Sequence, residues 1–195
     1  MPLLIASLIL FVGIHLVRVI APGWRTSVIA ARGENFWKLG YSLASIIALV
    51  LLIYSFGQAR LETGILYMPP VWMAHLSSLL MLVALICLVA SLLPPGHIAR
   101  RTKHPMVLSV KIWAFAHLLS NGETSSVVLF CAFLAWGVVI RIALKRREQR
   151  GELVRKAFVS ARYDGLAVVA GIVVWLAFIW RLHLWLIGVQ PLLVG

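Results

Sequence analysis

Apolar residues in this chain form long uninterrupted blocks instead of alternating with polar residues at helical or strand spacing. Six blocks approach the roughly 20 residues that an α-helix needs to cross the hydrocarbon core of a bilayer. Backbone groups inside a bilayer must bond within their own segment, so the blocks are predicted to be helices. The predicted spans are residues 2–20, 37–56, 71–93, 105–120, 124–140 and 166–187. The pattern therefore predicts a single all-α domain over residues 1–195, a polytopic membrane bundle of six transmembrane helices.

The connections between the spans are short, and two of them have a predictable form. Only Asn121-Gly122-Glu123 separates the fourth span from the fifth, which predicts a tight helical hairpin with Gly122 in a left-handed conformation. Residues 141–164 form the longest connection and are dense in Arg and Lys. They are predicted to extend the fifth helix, to turn near Gly151, and then to form either a solvated loop or a segment lying against anionic headgroups.

Composition and charge restrict the class of protein. Hydrophobic residues make up 62% of the chain and charged residues 12%, which excludes a soluble domain. The net charge is +12, and the basic residues concentrate in or beside the first, third and fifth connections, whereas Arg60 stands alone on the opposite side. This is the positive-inside pattern, which predicts both termini outside the cytoplasm. The charge sets orientation in a lipid bilayer, so no nucleic-acid partner is expected.

Several kinds of chemistry find no support in the sequence. Cys87 and Cys131 lie in predicted spans outside any Cys-x-x-Cys or Cys-x-x-Cys-His motif, so neither structural disulfides nor covalently attached haem are expected. There is no His-Glu-x-x-His, no glycine-rich phosphate loop and no Ser/His/Asp set. The predicted spans contain no acidic residue, which argues against a carboxylate-driven pump.

Four histidines are candidates for chemistry because they lie in or at the ends of spans. They are His15 in the first span, His75 in the third, and His104 and His117 at the two ends of the fourth. Neutral imidazole is a common ligand of haem iron, and two on separate helices can hold an iron from both sides. The alternative for each is a hydrogen bond to a carbonyl at a helix interface. His97 and His183 are assigned to interfacial segments without a ligand role.

Two cations share the depth of these histidines. Lys111 lies inside the fourth span, two helical turns after His104 on the same face, and Arg18 follows His15 by three residues. Cations at these positions suit an anion such as a haem propionate or a phosphate. The alternative for Lys111 is that its side chain snorkels to the cytoplasmic headgroups.

At these positions the chain resembles the NnrU family, bacterial membrane proteins associated with nitrite and nitric oxide metabolism. The matching segments, in family order, are Gly13-Ile14-His15-Leu16 with Arg18, Lys103-His104-Pro105-Met106, residues 111–119, Asn121-Gly122-Glu123 and the basic run after the fifth span. The resemblance covers nearly the whole chain. It implies a multi-pass protein of the bacterial cytoplasmic (inner) membrane, with both termini periplasmic.

The resemblance also implies a cofactor, since a distant relative of the family is the haem b enzyme zeta-carotene isomerase. His15 and His117 are the positions that match the haem histidines of the isomerase, which makes haem b the implied cofactor and Arg18 and Lys111 the candidate propionate partners. A cysteine of the isomerase corresponds to Ala114 here, so its ligand exchange is not expected. Depth along the helices differs by about 10 Å or more between His15 and His117. His75 with His117, or His15 with His104, lie at more similar depth and remain alternates.

Three functions follow from these observations. The first is haem-dependent redox or isomerisation chemistry, or a role in nitrite and nitric oxide metabolism. The second is a non-enzymatic accessory or assembly subunit of a respiratory nitrogen-oxide reductase. The third is an S-adenosylmethionine-dependent membrane methyltransferase, because His104-Pro105 is similar to part of the Arg-His-Pro-x-Tyr motif of isoprenylcysteine and phospholipid methyltransferases. Substrate, turnover and oligomeric state stay open at this point.

Overall fold

A computed structural model, which describes residues 1–192, contains nine α-helices and one π-helical segment in that part of the chain. The helices are α1 (Pro2–Ile20), α2 (Pro22–Arg32), α3 (Glu34–Glu62), α4 (Val71–Leu92), α5 (His97–Thr102), α6 (Pro105–Ser120), α7 (Thr124–Gln149), α8 (Arg162–Ala177) and α9 (His183–Ile187). The π-helical segment, Phe178–Leu182, continues α8 into α9. Five helices, counting α8 to α9 as one, are long and apolar enough to cross a membrane, and α6 is a shorter apolar helix. The predicted all-α multi-pass membrane bundle is confirmed.

Hydropathy locates the helices well but not all of their ends. Helices α1 and α6 have the predicted bounds, whereas α3 and α7 continue past the apolar blocks to Glu62 and Gln149. The predicted extension of the fifth helix is confirmed: Arg141, Lys145, Arg146 and Arg147 are helical and project beyond the membrane-spanning part of α7. The chain then turns at Gly151, whose φ of 72° confirms the turn expected there.

Two helices lie where connections were predicted. Pro22 occupies the first turn of α2, where its fixed φ suits a helix start, and Gly33 with φ 85° ends it. Helix α5 has a cap from a distant part of the chain, since the Asp164 carboxylate accepts hydrogen bonds from the backbone N–H groups of His97 (2.7 Å) and Ile98 (2.9 Å). These helices and the end of α7 form what we call the basic face of the bundle.

The helices pack as two groups of three. Helices α4, α6 and α8 form one group, α1, α3 and α7 form the other, and α6 and α7 join them. Small residues make the closest contacts: Ala48, Ala114, Ala116 and Ala167 are fully buried, while large side chains such as Ile20 face outward. The hydroxyls of Ser7 and Ser55 lie 2.6 Å apart between α1 and α3. Small interfacial residues with apolar exteriors are typical of helices packed in lipid.

The α6–α7 hairpin differs from its prediction. Among the described glycines, Gly33, Gly151 and Gly188 have positive φ, and Gly122 does not, so the left-handed conformation predicted for Gly122 is wrong. Glycine is required there because the Tyr67 carbonyl lies where a Cβ would be. Gly122 O accepts a hydrogen bond from Leu66 N (2.7 Å), and the Tyr67 hydroxyl donates to the carbonyls of Leu118 and Asn121. The loop before α4 thus covers the hairpin, at what we call the hairpin face.

Candidate functional site

His15 is held in one orientation near the basic end of α1. Its Nδ1 lies 2.7 Å from Phe11 O, one turn earlier in the same helix. A carbonyl only accepts, so Nδ1 carries the proton and Nε2 keeps a free lone pair. The ring centroid lies 4.2 Å from that of Phe11, 5.8 Å from Tyr41 and 6.4 Å from Trp136. An imidazole fixed through Nδ1 with Nε2 available is the arrangement that metal-ligating histidines use.

The ring lines a cavity of about 660 Å³ between α1, α2, α3 and α7 at the basic face, which we call the His15 cavity. Its volume lies within the range of about 300–1,000 Å³ that is usual for ligand and cofactor sites. Five arginines line it: Arg18, Arg25, Arg146, Arg147 and Arg150. Glu152 is the acidic residue of the lining and pairs with Arg147 and Arg150. The hydrogen bond from Arg150 is the main cause that lowers the pKa of the Glu152 carboxyl. The cavity therefore keeps an excess of positive charge that favours an anion.

Aromatic side chains complete this environment. Trp37 and Tyr41 line the cavity with their rings stacked, 6.3 Å between centroids, and Arg25 lies over Trp37 at 5.7 Å. Trp136, beside His15, has a buried indole N–H without a hydrogen-bond partner among the described residues. Buried donors normally have partners, so a hydrogen-bond acceptor that reached this N–H would remove the free-energy cost of leaving it unpaired.

His117 lies near the hairpin face and is held in the same manner. Its Nδ1 is 2.8 Å from Trp113 O, and its ring packs on Phe130 with 4.7 Å between centroids. The ring of His183 lies 6.4 Å away at an interplanar angle of 21°, and Nδ1 of His183 is 2.7 Å from Val189 O. His183 directly follows the π-helical segment, a feature that is frequent at functional sites. Sequence analysis gave His183 no role, and only the fold shows its proximity to His117.

The structure does not bring His15 and His117 together. Phe133 contacts Phe11 (5.6 Å between centroids) and Trp113 (5.2 Å), which places those two rings at one level. His15 lies one turn from Phe11 toward the basic face and His117 one turn from Trp113 toward the hairpin face, so they are about 12 Å apart along the bundle. Two imidazole nitrogens sharing one metal ion are about 4 Å apart. In this arrangement the two histidines belong to separate sites.

Of the two candidate cations, only Arg18 shares a site with His15. The stem of Lys111 packs on Gly137 of α7, where an added Cβ would lie 2.5 Å from Lys111 Cγ. Lys111 is not among the residues that line the His15 cavity. Its position between α6 and α7 is set by that glycine contact.

The alternate histidines have different surroundings. The Ser77 hydroxyl donates to Ala116 O (2.7 Å), which puts the exposed His75 at nearly the level of His117. His104 is instead engaged, with Nε2 2.8 Å from Glu148 Oε1, while Arg155 binds Oε2 of the same carboxylate at 2.6 Å. Burial is the main cause that lowers the pKa of His104, outweighing the attraction of Glu148. A neutral His104 therefore donates its Nε2–H to an ionised carboxylate.

His104 lines a second cavity of about 750 Å³ on the other side of α7, the His104 cavity. The residue before it, Lys103, has φ 64° and is the one non-glycine residue with positive φ within residues 1–192. Such a conformation costs of order 1–3 kcal/mol and is concentrated at functional sites.

Sequence reasoning missed most of the cations around His15. From the sequence these arginines are predicted to set topology, with no role in a site. The predicted extension of the fifth helix is confirmed, and it carries Arg146 and Arg147 over the end of α1, with Arg150 directly after the helix. The spacing of Arg146 and Arg150, four residues apart on one helix face, was the available signal. Within residues 1–192, no three His, Cys, Asp or Glu side chains gather as a metal site.

Comparison with known proteins gives one match. A family model described as NnrU protein matches residues 3–191, nearly the whole chain. No curated protein and no solved structure matches it.

Proposed function

The chain belongs to the NnrU family, and from that premise we propose that it binds haem b noncovalently in the His15 cavity, where His15 would hold the group. The observation that carries the proposal is the combination of a fixed, free Nε2 and a cavity lined by five arginines. Haem b needs both an imidazole for its iron and cations for two propionates. Haem supplies the redox or Lewis-acid chemistry of an iron centre when it is bound.

The residues present fit that group. Arg18 follows His15 on the same helix and lines the same cavity, and Arg146 comes from α7. Both lack an acidic partner among the described residues, so a propionate would gain charge-assisted hydrogen bonds from them. Trp37 and Tyr41 offer aromatic surface for a flat macrocycle.

If His15 holds the haem, the bound group would supply its chemistry to a small molecule that enters the cavity. The resemblance to proteins of nitrite and nitric oxide metabolism makes a nitrogen oxide the ligand class to test. Cations of the His15 cavity would also attract nitrite, which is an anion. With the basic face toward the cytoplasm of a bacterial inner membrane, that ligand would enter from the cytoplasmic side.

The test is an absorption spectrum of the detergent-purified protein, expressed with ample haem, in its oxidised and dithionite-reduced forms. We expect a stoichiometric b-type spectrum that His15→Ala abolishes and that His97→Ala, a matched change outside the cavity, leaves intact. His117→Ala should keep the haem, because His117 is far from His15 along the bundle. Loss of haem in His117→Ala with retention in His15→Ala would move the site to the His117–His183 pair and overturn the proposal.

The other two functions predict different outcomes. An accessory subunit of a respiratory nitrogen-oxide reductase would stay colourless after haem reconstitution, and its deletion would lower the abundance of the reductase. A methyltransferase would bind S-adenosylmethionine at His104. The His104 cavity disfavours that cationic cofactor, since its lining holds four Lys or Arg residues and no Asp or Glu among the described residues.

A further inference from the structure

The His104 cavity is a built site formed by several elements. The end of α4, helix α5 and the start of α6 form one side, and the extended residues 153–158 form the other. That segment is fixed against the bundle: Val159 N donates to Pro95 O (2.8 Å), and the ring of Phe158 packs on His97 at 4.6 Å between centroids. Arg155 anchors its middle to Glu148. The segment that is predicted from the sequence to be either a solvated loop or a stretch lying against anionic headgroups thus encloses a cavity.

All of the ionised side chains that line the cavity are cations. Arg100, Lys103, Arg155 and Lys156 line the cavity together with His104, and no Asp or Glu of residues 1–192 does so. Arg155 is paired with Glu148, whereas Arg100, Lys103 and Lys156 have no acidic partner in the described part of the chain. Three uncompensated cations around one cavity favour an anion with several acceptor oxygens.

The remaining lining is apolar, which separates this site from the His15 cavity. Leu93 directly follows α4, Val107 lies in the first turn of α6, Leu144 comes from α7, and Leu153 comes from the extended segment. Val107 is buried, while the cations are exposed at the rim. Apolar surface next to a ring of cations at a membrane boundary matches a molecule with an anionic head and a hydrocarbon tail.

The backbone around Lys103 is a second, independent feature of the site. Lys103 has φ 64°, a conformation that a lysine adopts rarely, and the next residue is fixed by its contact with Glu148. Local strain of this kind is concentrated at functional sites.

We propose that the His104 cavity binds a lipid with a phosphate headgroup, the phosphate at Arg100, Lys103 and Lys156 and the hydrocarbon against Leu93 and Val107. The site is independent of haem. It would hold the extended segment 153–158 against the bundle at the boundary between membrane and water.

The test uses the full chain, purified in detergent, and native mass spectrometry with added dioleoyl phosphatidic acid. Dioleoyl phosphatidylcholine tests the headgroup, and inorganic phosphate is the competitor. We expect phosphatidic acid to bind in preference to phosphatidylcholine and to resist displacement by phosphate. The double variant Arg100→Gln/Lys156→Gln should weaken its binding about tenfold or more, since each cation near an anionic headgroup contributes appreciably.

The matched control is Arg32→Gln/Arg162→Gln, which removes the same charge from the basic face outside both cavities. Equal weakening in the control would show general charge attraction and overturn the proposal. Displacement by inorganic phosphate would identify a site for free phosphate and overturn the assignment to a lipid. If the double variant fails to fold, the single variants Arg100→Gln and Lys156→Gln are compared with Arg32→Gln, and unchanged affinity in both would contradict the proposal.

Discussion

Nε2 of His104 lies 2.8 Å from Oε1 of Glu148, and this contact joins the first turn of α6 to the last turn of α7. Glu148 lies on the charged extension of α7 beyond the membrane span. The hydrogen bond from Arg155 is the main cause that lowers its pKa to about 2. His104 is neutral because burial lowers its pKa below the usual 6.5. At neutral pH, His104 is therefore a neutral donor of a hydrogen bond to the ionised carboxylate of Glu148.

Acidification should destabilise the protein through this pair. Both groups have folded-state pKa values below their unfolded values, so each contributes stability that is complete at neutral pH and is lost as the pH falls, His104 below 6.5 and Glu148 below 4.5. We expect the Tm in detergent to fall between pH 7 and pH 5, and His104→Gln to flatten that slope. His97→Gln is the control. An unchanged slope in His104→Gln would contradict the assignment.

Replacing Gly137 should disturb the contact between the two helix groups. A Cβ there would lie 2.5 Å from Lys111 Cγ, so we expect Gly137→Ala to destabilise the protein by about 1–3 kcal/mol, as overpacking usually does. Lys111→Ala in the same chain should restore part of the loss. Gly40→Ala, where nothing lies within 4 Å, is the matched control and should be tolerated. Unfolding in denaturing detergent is measured for the wild type, Gly137→Ala, Lys111→Ala, their combination and the control, and additive effects at 111 and 137 would refute the contact.

The Ser7–Ser55 hydrogen bond should show a measurable coupling between α1 and α3. Interhelical hydrogen bonds in membranes average about 0.6 kcal/mol in double-mutant cycles, and we expect a value of that order from the two alanine variants and their combination. The hydroxyls are both buried and 2.6 Å apart. Ser27→Ala, which removes an exposed hydroxyl bonded within α2, should leave the unfolding midpoint unchanged. Zero coupling would mean that each hydroxyl is satisfied by its own helix.

Arg18→Gln should weaken haem binding if the proposed site is correct. A hydrogen bond to a charged group contributes about 1.5–3 kcal/mol, so the loss of one propionate contact corresponds to an affinity at least about tenfold lower. Haem titration of the haem-free protein, followed by absorbance, measures this. Arg32→Gln removes a cation of α2 that does not line the cavity and should bind as the wild type does. Equal haem affinities in Arg18→Gln and the wild type would show that Arg18 does not contact the haem.

Hydropathy alone predicts the membrane helices because each must be apolar over its whole spanning length, whatever it packs against. It does not predict α5, whose cap comes from Asp164, a residue of α8. The extension of α7 to a turn near Gly151 is predicted from the sequence, but the contact that this extension makes with the end of α1 is not.

The candidate site likewise has a part that the sequence predicts and a part that depends on tertiary contacts. His15 and Arg18 are three residues apart on one helix, so their joint position follows from helical spacing. Arg146 reaches the His15 cavity only through the contact of α7 with α1, which is a tertiary relationship. The partner of His117 is likewise His183, from a helix that the sequence does not place beside α6.

Helix α6 also has a consequence for how the chain enters the membrane during synthesis. It has 16 residues and includes Lys111, so it spans only about 24 Å of a hydrocarbon core of about 30 Å. A short helix with an internal cation partitions poorly by itself, whereas α7 is longer and strongly apolar. The tight turn at Gly122 joins the two helices. The loop before α4 bonds to both of them, since the Tyr67 hydroxyl donates to Asn121 O after α6 and Gly64 O accepts from Thr124 N of α7. Helices α6 and α7 are therefore expected to leave the translocation channel as one hairpin, and a ribosome stalled before α7 emerges should leave α6 outside the bilayer.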